Sequence, residues 1–451
     1  MTNYDVIEAY VEDFTNWNYV KARGVATISQ HKFIITECIL KGLSIVEDIQ
    51  EPYSNLTVRI IGITDNQEVL ITDYVNGKHQ IINTITEDGI YTIEDRHHFV
   101  GFGCNFVGTC NITIEQLPTS ILKDYSGNKH DAYLYGFKGR LNSGVGIYAQ
   151  DFTKWIFGSA IHNISTKAHN KLHIVKKNPN NYFGYTIGIQ KANYYNKPYK
   201  LKFNFNKEID DIKFSVVSTD GNLITTQCFS AIINNGSVVD VPIISEEIFN
   251  NQKEPNIYYD FGTNKDIEID VELIPDYPNQ LCYDGKSYAV AYGLPILTDY
   301  TVIADRTWFA EKVDNGVFMS KVLEQNGAFI LEYKQGDKWN TYSYYSATNI
   351  NIDKDNSIVY QTKNKYNEQT IYPGDKQDTD TLFIGTIRKD DSRSFIGCHG
   401  DILLFNRTLT DDELSVIKEV VFGISDIKDA LLTVDKKYIK LNDNNYIKLN
   451  K

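Results

Sequence analysis

Residues 111–118 read NITIEQLP and residues 268–275 read EIDVELIP. Both alternate apolar with polar side chains and both stop at a proline, as a half-buried strand does where a residue lacking an amide hydrogen ends the ladder. Upstream of the first stand DFTNW (13–17) and QHKFIIT (30–36); upstream of the second stand DFTKW (151–155) and HNKLHIV (169–175). Segments 13–118 and 151–275 therefore begin and end alike, which marks an internal duplication.

The texture inside each copy is that of strands. NLTVRIIGIT, EVLITDYV and GIYTIED in the first, and YKLKFNFN, DIKFSVVSTDG and SVVDVPI in the second, alternate and are bounded by Asn, Asp and Gly. About 100 residues of short strands with frequent turns predict a β-sandwich. Helical periodicity is nearly absent before residue 410. Composition agrees: 31 Tyr and 22 Phe stand against 2 Met in 451 residues, and aromatic and β-branched residues favour pleated surfaces.

The net charge of −13, without a Lys/Arg cluster able to follow phosphates, argues against nucleic acid as a partner. No apolar run approaches the roughly 18 residues of a membrane span, so no membrane insertion is expected. The start, MTNYDVIEAYVEDF, lacks the basic region and apolar core of a signal peptide. Synthesis in a cytoplasm is the corresponding expectation. Cys38, Cys104, Cys110, Cys228, Cys282 and Cys398 show no zinc spacing. They read as buried thiols, with Cys104 and Cys110 able to meet across a turn.

Aligning Pro118 with Pro275 sets Asn111, Thr113 and Glu115 opposite Glu268, Asp270 and Glu272. The inward row reads as Ile112, Ile114 and Leu117 in the first copy, and as Ile267 or Ile269, Val271 and Ile274 in the second. Glu268-Ile269-Asp270-Val271-Glu272 resembles the E-x-D-x-E catalytic strand of laminarinase- and lichenase-type glycoside hydrolases. That resemblance would make Glu268 and Glu272 the reacting carboxylates. The first copy keeps the polar face without the triad. A retaining hydrolase sets its carboxyls about 5–5.5 Å apart, whereas residues four apart on a straight strand stand about 13 Å apart. No nearby Trp or His supplies a cleft. The stretch reads as the wet face of a strand, and no catalytic residue is assigned.

After the first copy comes KDYSGNKHDAYLYGF (123–137), then GRLNSGVGIY. After the second comes LCYDGKSYAVAYGLPILTDYTVIADRTWF (281–309), and near the end GCHGDILLFNRTLTDDELSVIKEVV (397–421). Asp124, Ser126, Gly127, Asn128, Asp284, Gly285, Tyr288, Phe405, Arg407, Leu409 and Leu414 carry a resemblance to the laminin G-like, or concanavalin A-like, jelly roll. In that family an SGN turn and a DG-x-x-Y strand pair precede a closing strand and a short helix. Thr410 and Glu413 form a capping box at the helix start. The resemblance implies an all-β fold of multi-domain β-sandwiches, with one short C-terminal helix. Its division is an N-terminal arm (1–12), a first sandwich repeat (13–118), a jelly roll (119–150 and 277–425), an inserted second repeat (151–276) and a C-terminal tail (426–451).

The module order also resembles virion-associated proteins of phages of gut Bacteroidetes, including the crAss-like group. That implies a structural virion protein of a tailed phage, in a tail, fibre or other appendage, with other virion proteins as partners. Capsid decoration or head-fibre protein is a variant of the same reading; a stand-alone carbohydrate-binding protein and a hydrolase using Glu268 and Glu272 are the alternatives. In the tail, KYIKLN (437–442) recurs as NYIKLN (445–450) around a polar turn, which predicts a hairpin. An isolated hairpin is marginal in water, so docking on a neighbour and homo-oligomerisation are expected.

Other signals are weaker. Neighbours in Arg96-His97-His98 leave a strand on opposite faces, Cys398-His399 lacks a partner at ligand spacing, and GFGCNFVG (101–108) follows no βαβ pattern. No metal site is assigned; carboxylates near Asp124, Asp131 and Asp284 permit calcium without demanding it. Aromatics in KWNTYSYYSAT (338–348) suit stacking on a host-surface glycan, or burial at an interface.

Overall fold

The computed structural model describes residues 5–6, 10, 12–48, 55–75, 78–94, 100–137, 140–141, 162–168, 170–176, 185–189, 198–206, 211–219, 225–242, 256–261, 267–274, 277, 280–309, 315–389, 392–423, 438–442 and 445–448. Arg96-His97-His98, DFTKW (151–155) and most of GRLNSGVGIY lie outside them. The chain is all-β, built of antiparallel sandwiches, with one α-helix, Asp411–Phe422, among the described residues.

The first sandwich packs two five-stranded sheets. One runs Gly24–Ser29, Lys32–Cys38, Gly108–Gln116, Leu56–Ile61, Gly89–Ile93; the other runs Asn18–Tyr19, Ser44–Glu47, Gly101–Cys104, Val69–Val75, Lys78–Ile85. The second sandwich repeats this order among the described residues, except that its second sheet has four strands, with no counterpart of Asn18–Tyr19. One sheet runs His162–Ala168, Lys171–Lys176, Ile267–Ile274, Tyr199–Phe205, Val238–Val241, and the other runs Tyr185–Ile189, Asn256–Phe261, Ile212–Thr219, Thr225–Ile233. Register coincides as well as order. Ile114 stands between Phe33 and Ile60 in the first, and Val271 between Leu172 and Phe203 in the second.

DFTNW closes the end of the first core. Asp13 caps a short 3-10 turn by accepting the Thr15 hydroxyl at 2.5 Å and the Thr15 amide at 3.0 Å, and those bonds hold its carboxyl below the usual range. The turn buries Phe14 edge-on to Trp17 and Phe33, with ring centroids 4.9 and 5.1 Å away. Two sequence expectations are corrected here. Cys38 and Cys104 are joined in a disulfide between the two sheets, their Cα atoms 6.5 Å apart, so they are not thiols and Cys104 does not pair with Cys110. The inward row ends in Gln116 and Leu273, not Leu117 and Ile274. Strict alternation carries on to the strand end, and buried Gln116 is satisfied by the backbone of Glu12, donating to its carbonyl at 2.7 Å and accepting its amide at 2.8 Å.

The third, larger sandwich sets an eight-stranded sheet against a six-stranded one. The first sheet runs Ile121–Leu122, Ala132–Tyr135, Tyr288–Ala291, Leu382–Ile384, Asn315–Leu323, Asn326–Gln335, Lys338–Ser343, Ser346–Ile350. The second runs Leu281–Asp284, Ile396–Phe405, Thr301–Trp308, Ile358–Thr362, Lys365–Tyr366, Gln369–Thr370. Two of its strands thus precede the second sandwich in sequence and the rest follow it. Strand Thr301–Trp308 is buried on both faces along most of its length. One side meets the core, and the other meets Leu409, Leu414 and Ile417 at the helix. Thr410 and Glu413 form the capping box, and Arg407 grips Glu413 bidentately at 2.8 Å, drawing the Glu413 pKa down to about 2. Arg407 and Leu409, two of the residues that carry the jelly-roll resemblance, thus dock the helix.

The first sandwich sits on the outer face of the eight-stranded sheet. Leu117 enters a cluster of Tyr135, Val290 and Phe383, Glu115 ion-pairs with Lys389, and the Arg59 guanidinium lies 4.2 Å from the Tyr292 ring centroid. In the tail, Tyr438–Asn442 pairs with Asn445–Lys448, setting Ile439 opposite Ile447.

Candidate functional site

The loops of the large sandwich gather at one end, where a buried ion pair fixes them. Lys321 and Asp378 pair in the interior, both side chains fully buried. Asp378 also accepts the amides of Leu297 at 2.7 Å and Ala328 at 3.0 Å, while Lys321 donates to the carbonyls of Thr379 and, at 3.2 Å, of Pro295. One carboxylate thus ties the loop of Leu297 to the strands that carry Lys321 and Ala328. Burial pushes the Lys321 ammonium down, and Asp378 opposes that shift. A buried pair with every donor and acceptor used holds a geometry even where it adds little net stability.

On this base sits Tyr344-Tyr345. Strands Lys338–Ser343 and Ser346–Ile350 pair up to Ser343 and Ser346, leaving these two tyrosines as the whole turn, with φ of 43° and 68°. Both φ positive is the demand of a type I′ turn, which Asn-Gly meets without strain. A side chain other than Gly or Asn costs about 1–2 kcal/mol per residue there, so the surroundings must hold it. The Tyr344 amide donates to the Ala328 carbonyl at 2.8 Å and its hydroxyl to the Leu297 carbonyl at 3.1 Å. The Gly374 amide donates to the Ser343 carbonyl at 2.9 Å. A side chain on Gly374 would collide with the Tyr344 carbonyl. Lys363 lies 5.0 Å from the Tyr344 ring centroid. Burial, with Asp378 and Asp299 nearby, pushes the Tyr344 phenol up to about 12, so it remains a neutral donor.

Tyr344 is therefore an anchor, and Tyr345 is what the turn presents. Tyr345 is 38% exposed, and Tyr372, on the loop whose amide bonds Thr348 Oγ1 at 3.4 Å, is 69% exposed. Tyr125 stands 80% exposed on the SGN turn, at the end of the same sheet where Ile121–Leu122 turns into Ala132–Tyr135. Backbone strain held by a rigid frame concentrates at ligand-contacting sites. Of the aromatics in 338–348, then, Tyr345 is the exposed one. Tyr344 is buried, Tyr342 packs near Tyr333, and Trp339 lies edge-on to Trp308 at 5.0 Å.

The rim carboxylates have structural work. Asp124 accepts the amides of Ser126 at 2.8 Å and His130 at 2.9 Å, and Asp131 accepts the Asp124 amide at 2.8 Å. Asp284 Oδ1 accepts from the Lys286 amide and from both the amide and hydroxyl of Ser287, each at 3.0 Å. These bonds build the two turns, with Gly127 and Gly285 at positive φ. No group of three or more metal-ligating side chains occurs among the described residues.

On the second sandwich, Glu268, Asp270 and Glu272 share the outer face of Ile267–Ile274, as alternation requires. Contrary to the expectation that no histidine lies near, His173 stands directly opposite Asp270. Its Nδ1 lies 2.7 Å from Asp270 and its Nε2 3.7 Å from Glu268, while Lys171 lies 3.7 Å from Glu272. Sequence reading missed His173 because its partner lies nearly a hundred positions away. The arrangement is a cross-strand charge ladder.

The described residues hold no helix long and apolar enough to cross a membrane. No protein-family model matches the chain, and no curated protein matches it. Among solved structures, it is similar to the N-terminal CBM22-1-CBM22-2 tandem domain of Xyn10C from Paenibacillus barcinonensis. The identity is 9% and the TM-score 0.24, over 60% of this chain and 97% of that one.

Proposed function

We propose that the chain is a structural attachment protein, a virion component of a tailed phage of the kind it resembles in sequence, whose large sandwich contacts glycans through its loop rim. The Tyr344-Tyr345 turn carries this reading. A strained turn pinned by its first tyrosine presents the second to solvent, beside exposed Tyr372. Ring faces of this kind stack on the C–H faces of pyranoses, and a fixed turn lowers the entropy of ordering them. The docking of one sandwich on another suits a rigid spacer. The rest of the reading rests on the resemblance of module order.

The test is a glycan array followed by titration calorimetry on the purified full chain. Saturable binding is expected, weakened roughly tenfold in Tyr345→Ala and again in Tyr372→Ala, as for an aromatic contact of about 1.4 kcal/mol. The thermal midpoint should not fall in either variant. Absence of any saturable ligand, or binding indifferent to both substitutions, would remove the glycan role. Light scattering on the chain with and without residues 426–451 tests the assembly role. A closed oligomer that dissociates without the tail is expected, and a monomer in both forms would count against it.

A further inference from the structure

Cys282 and Cys398 stand directly opposite each other on the paired strands Leu281–Asp284 and Ile396–Phe405. Both are buried and both are thiols. The Gly285 amide donates to the Phe395 carbonyl at 3.0 Å, which makes 285/395 a hydrogen-bonded position of the ladder. Antiparallel positions alternate, so 284/396 and 282/398 are non-hydrogen-bonded positions, where opposed Cα atoms come to about 4.5 Å. That separation lies inside the range a disulfide spans, and opposed side chains leave the sheet on the same side.

Leu281 and Tyr283 face the core, and His399 meets the Tyr283 hydroxyl there at 2.9 Å. The cysteines consequently share the other face. There Cys398 Sγ donates to Gln280 Oε1 at 2.6 Å, and Gln280 Nε2 donates to Asp305 at 3.1 Å. Tyr277 packs on Phe309 at 4.6 Å just beyond. The pair lies where the chain has just passed from the second sandwich to the large one, on Leu281–Asp284, an edge strand paired from one side among the described residues.

We propose that Cys282 and Cys398 form a second disulfide, closed during folding by exchange with a small-molecule disulfide such as oxidised glutathione, and buried thereafter. One cysteine thiolate attacks a glutathione sulfur, releasing a glutathione thiolate and leaving a mixed disulfide. The other thiolate then attacks the cysteine sulfur, forming the Cys282–Cys398 bond and releasing the second glutathione thiolate. The two protons lost by the cysteines pass to the two glutathiones, and the cysteines lose the two electrons that glutathione gains. The Cys38–Cys104 bond shows that the fold already accommodates one such link. That link ties sheet to sheet; the second staples an edge strand, and with it the exit of the second sandwich.

The full chain is refolded in a glutathione buffer, treated with diamide, alkylated after denaturation, and mapped by peptide mass spectrometry. A Cys282–Cys398 cross-linked peptide is expected, with a thermal midpoint several degrees above those of Cys282→Ser and Cys398→Ala oxidised in the same way, since both variants keep the Cys38–Cys104 bond. Recovery of Cys282 and Cys398 as alkylated thiols overturns the proposal, whatever the state of Cys38 and Cys104, as does either cysteine linked elsewhere. The wild-type map decides the matter even if both variants fail to fold.

Discussion

The first and second sandwiches share strand order and core register and differ on the outer face of the closing strand. Glu115 and Glu272 occupy the same place. Glu115 reaches across to Lys389 of the large sandwich, whereas Glu272 stays within its own sheet beside Lys171. Arg59 and Lys202, each opposite that glutamate, diverge likewise, since Arg59 covers the Tyr292 ring. Leu117 is buried against Tyr135, Val290 and Phe383, while its counterpart Ile274 is half-buried. The inner face specifies the module and is kept. The outer face specifies what the module touches, so it changes without cost to the fold.

Breaking the shared part should have the largest effect. Phe33→Ala should cost about 3–5 kcal/mol in the first sandwich, and Leu172→Ala about 2–5 kcal/mol in the second. Hydrogen exchange resolved by module would read each loss, and a loss below 1 kcal/mol in either would mean the cores are not equivalent. Next comes the disulfide, which spans a sequence separation of 66. Cys104→Ser should remove about 4 kcal/mol on the chain-entropy estimate from the first sandwich while leaving exchange in the second unchanged. Equal losses in both would refute a local staple.

The outer face should discriminate further. Leu117→Ala should lose about 2–3 kcal/mol of docking, by analogy with buried large-to-small changes, and open residues 117–120 to proteolysis. Ile274→Ala should lose under about 1 kcal/mol. Matching sensitivities would erase the distinction drawn between the two faces. Smallest is Glu272→Gln, expected within about 0.5 kcal/mol because half-exposed ion pairs contribute little. It should release no less reducing sugar from any β-glucan than the wild-type chain does; a measured activity lost in this variant would revive the hydrolase alternative.

Much of the fold was legible because its signals are local. NITIEQLP and EIDVELIP carry strand period and stop within eight residues, and Thr410 with Glu413 announces a helix start three positions apart. The SGN and DG turns likewise use side chains that bond their own backbone two to six residues on. Less was legible at the candidate site. Nothing in TYSYYSAT marks a two-residue turn, because Tyr-Tyr lacks the glycine or asparagine that would favour it. The reversal is imposed by Ala328 on the neighbouring strand and by Leu297 and Gly374 on other loops.

The sequence by itself determined the all-β class, the duplication and the helix, since each follows from periodicity and short-range hydrogen bonding. Only the tertiary structure decided that Cys38 pairs with Cys104, that Leu117 faces another module rather than its own core, and that Tyr345 is presented while Tyr344 is held. Those outcomes depend on which distant strands meet. Strand period gives every residue a face but does not say what stands across from it.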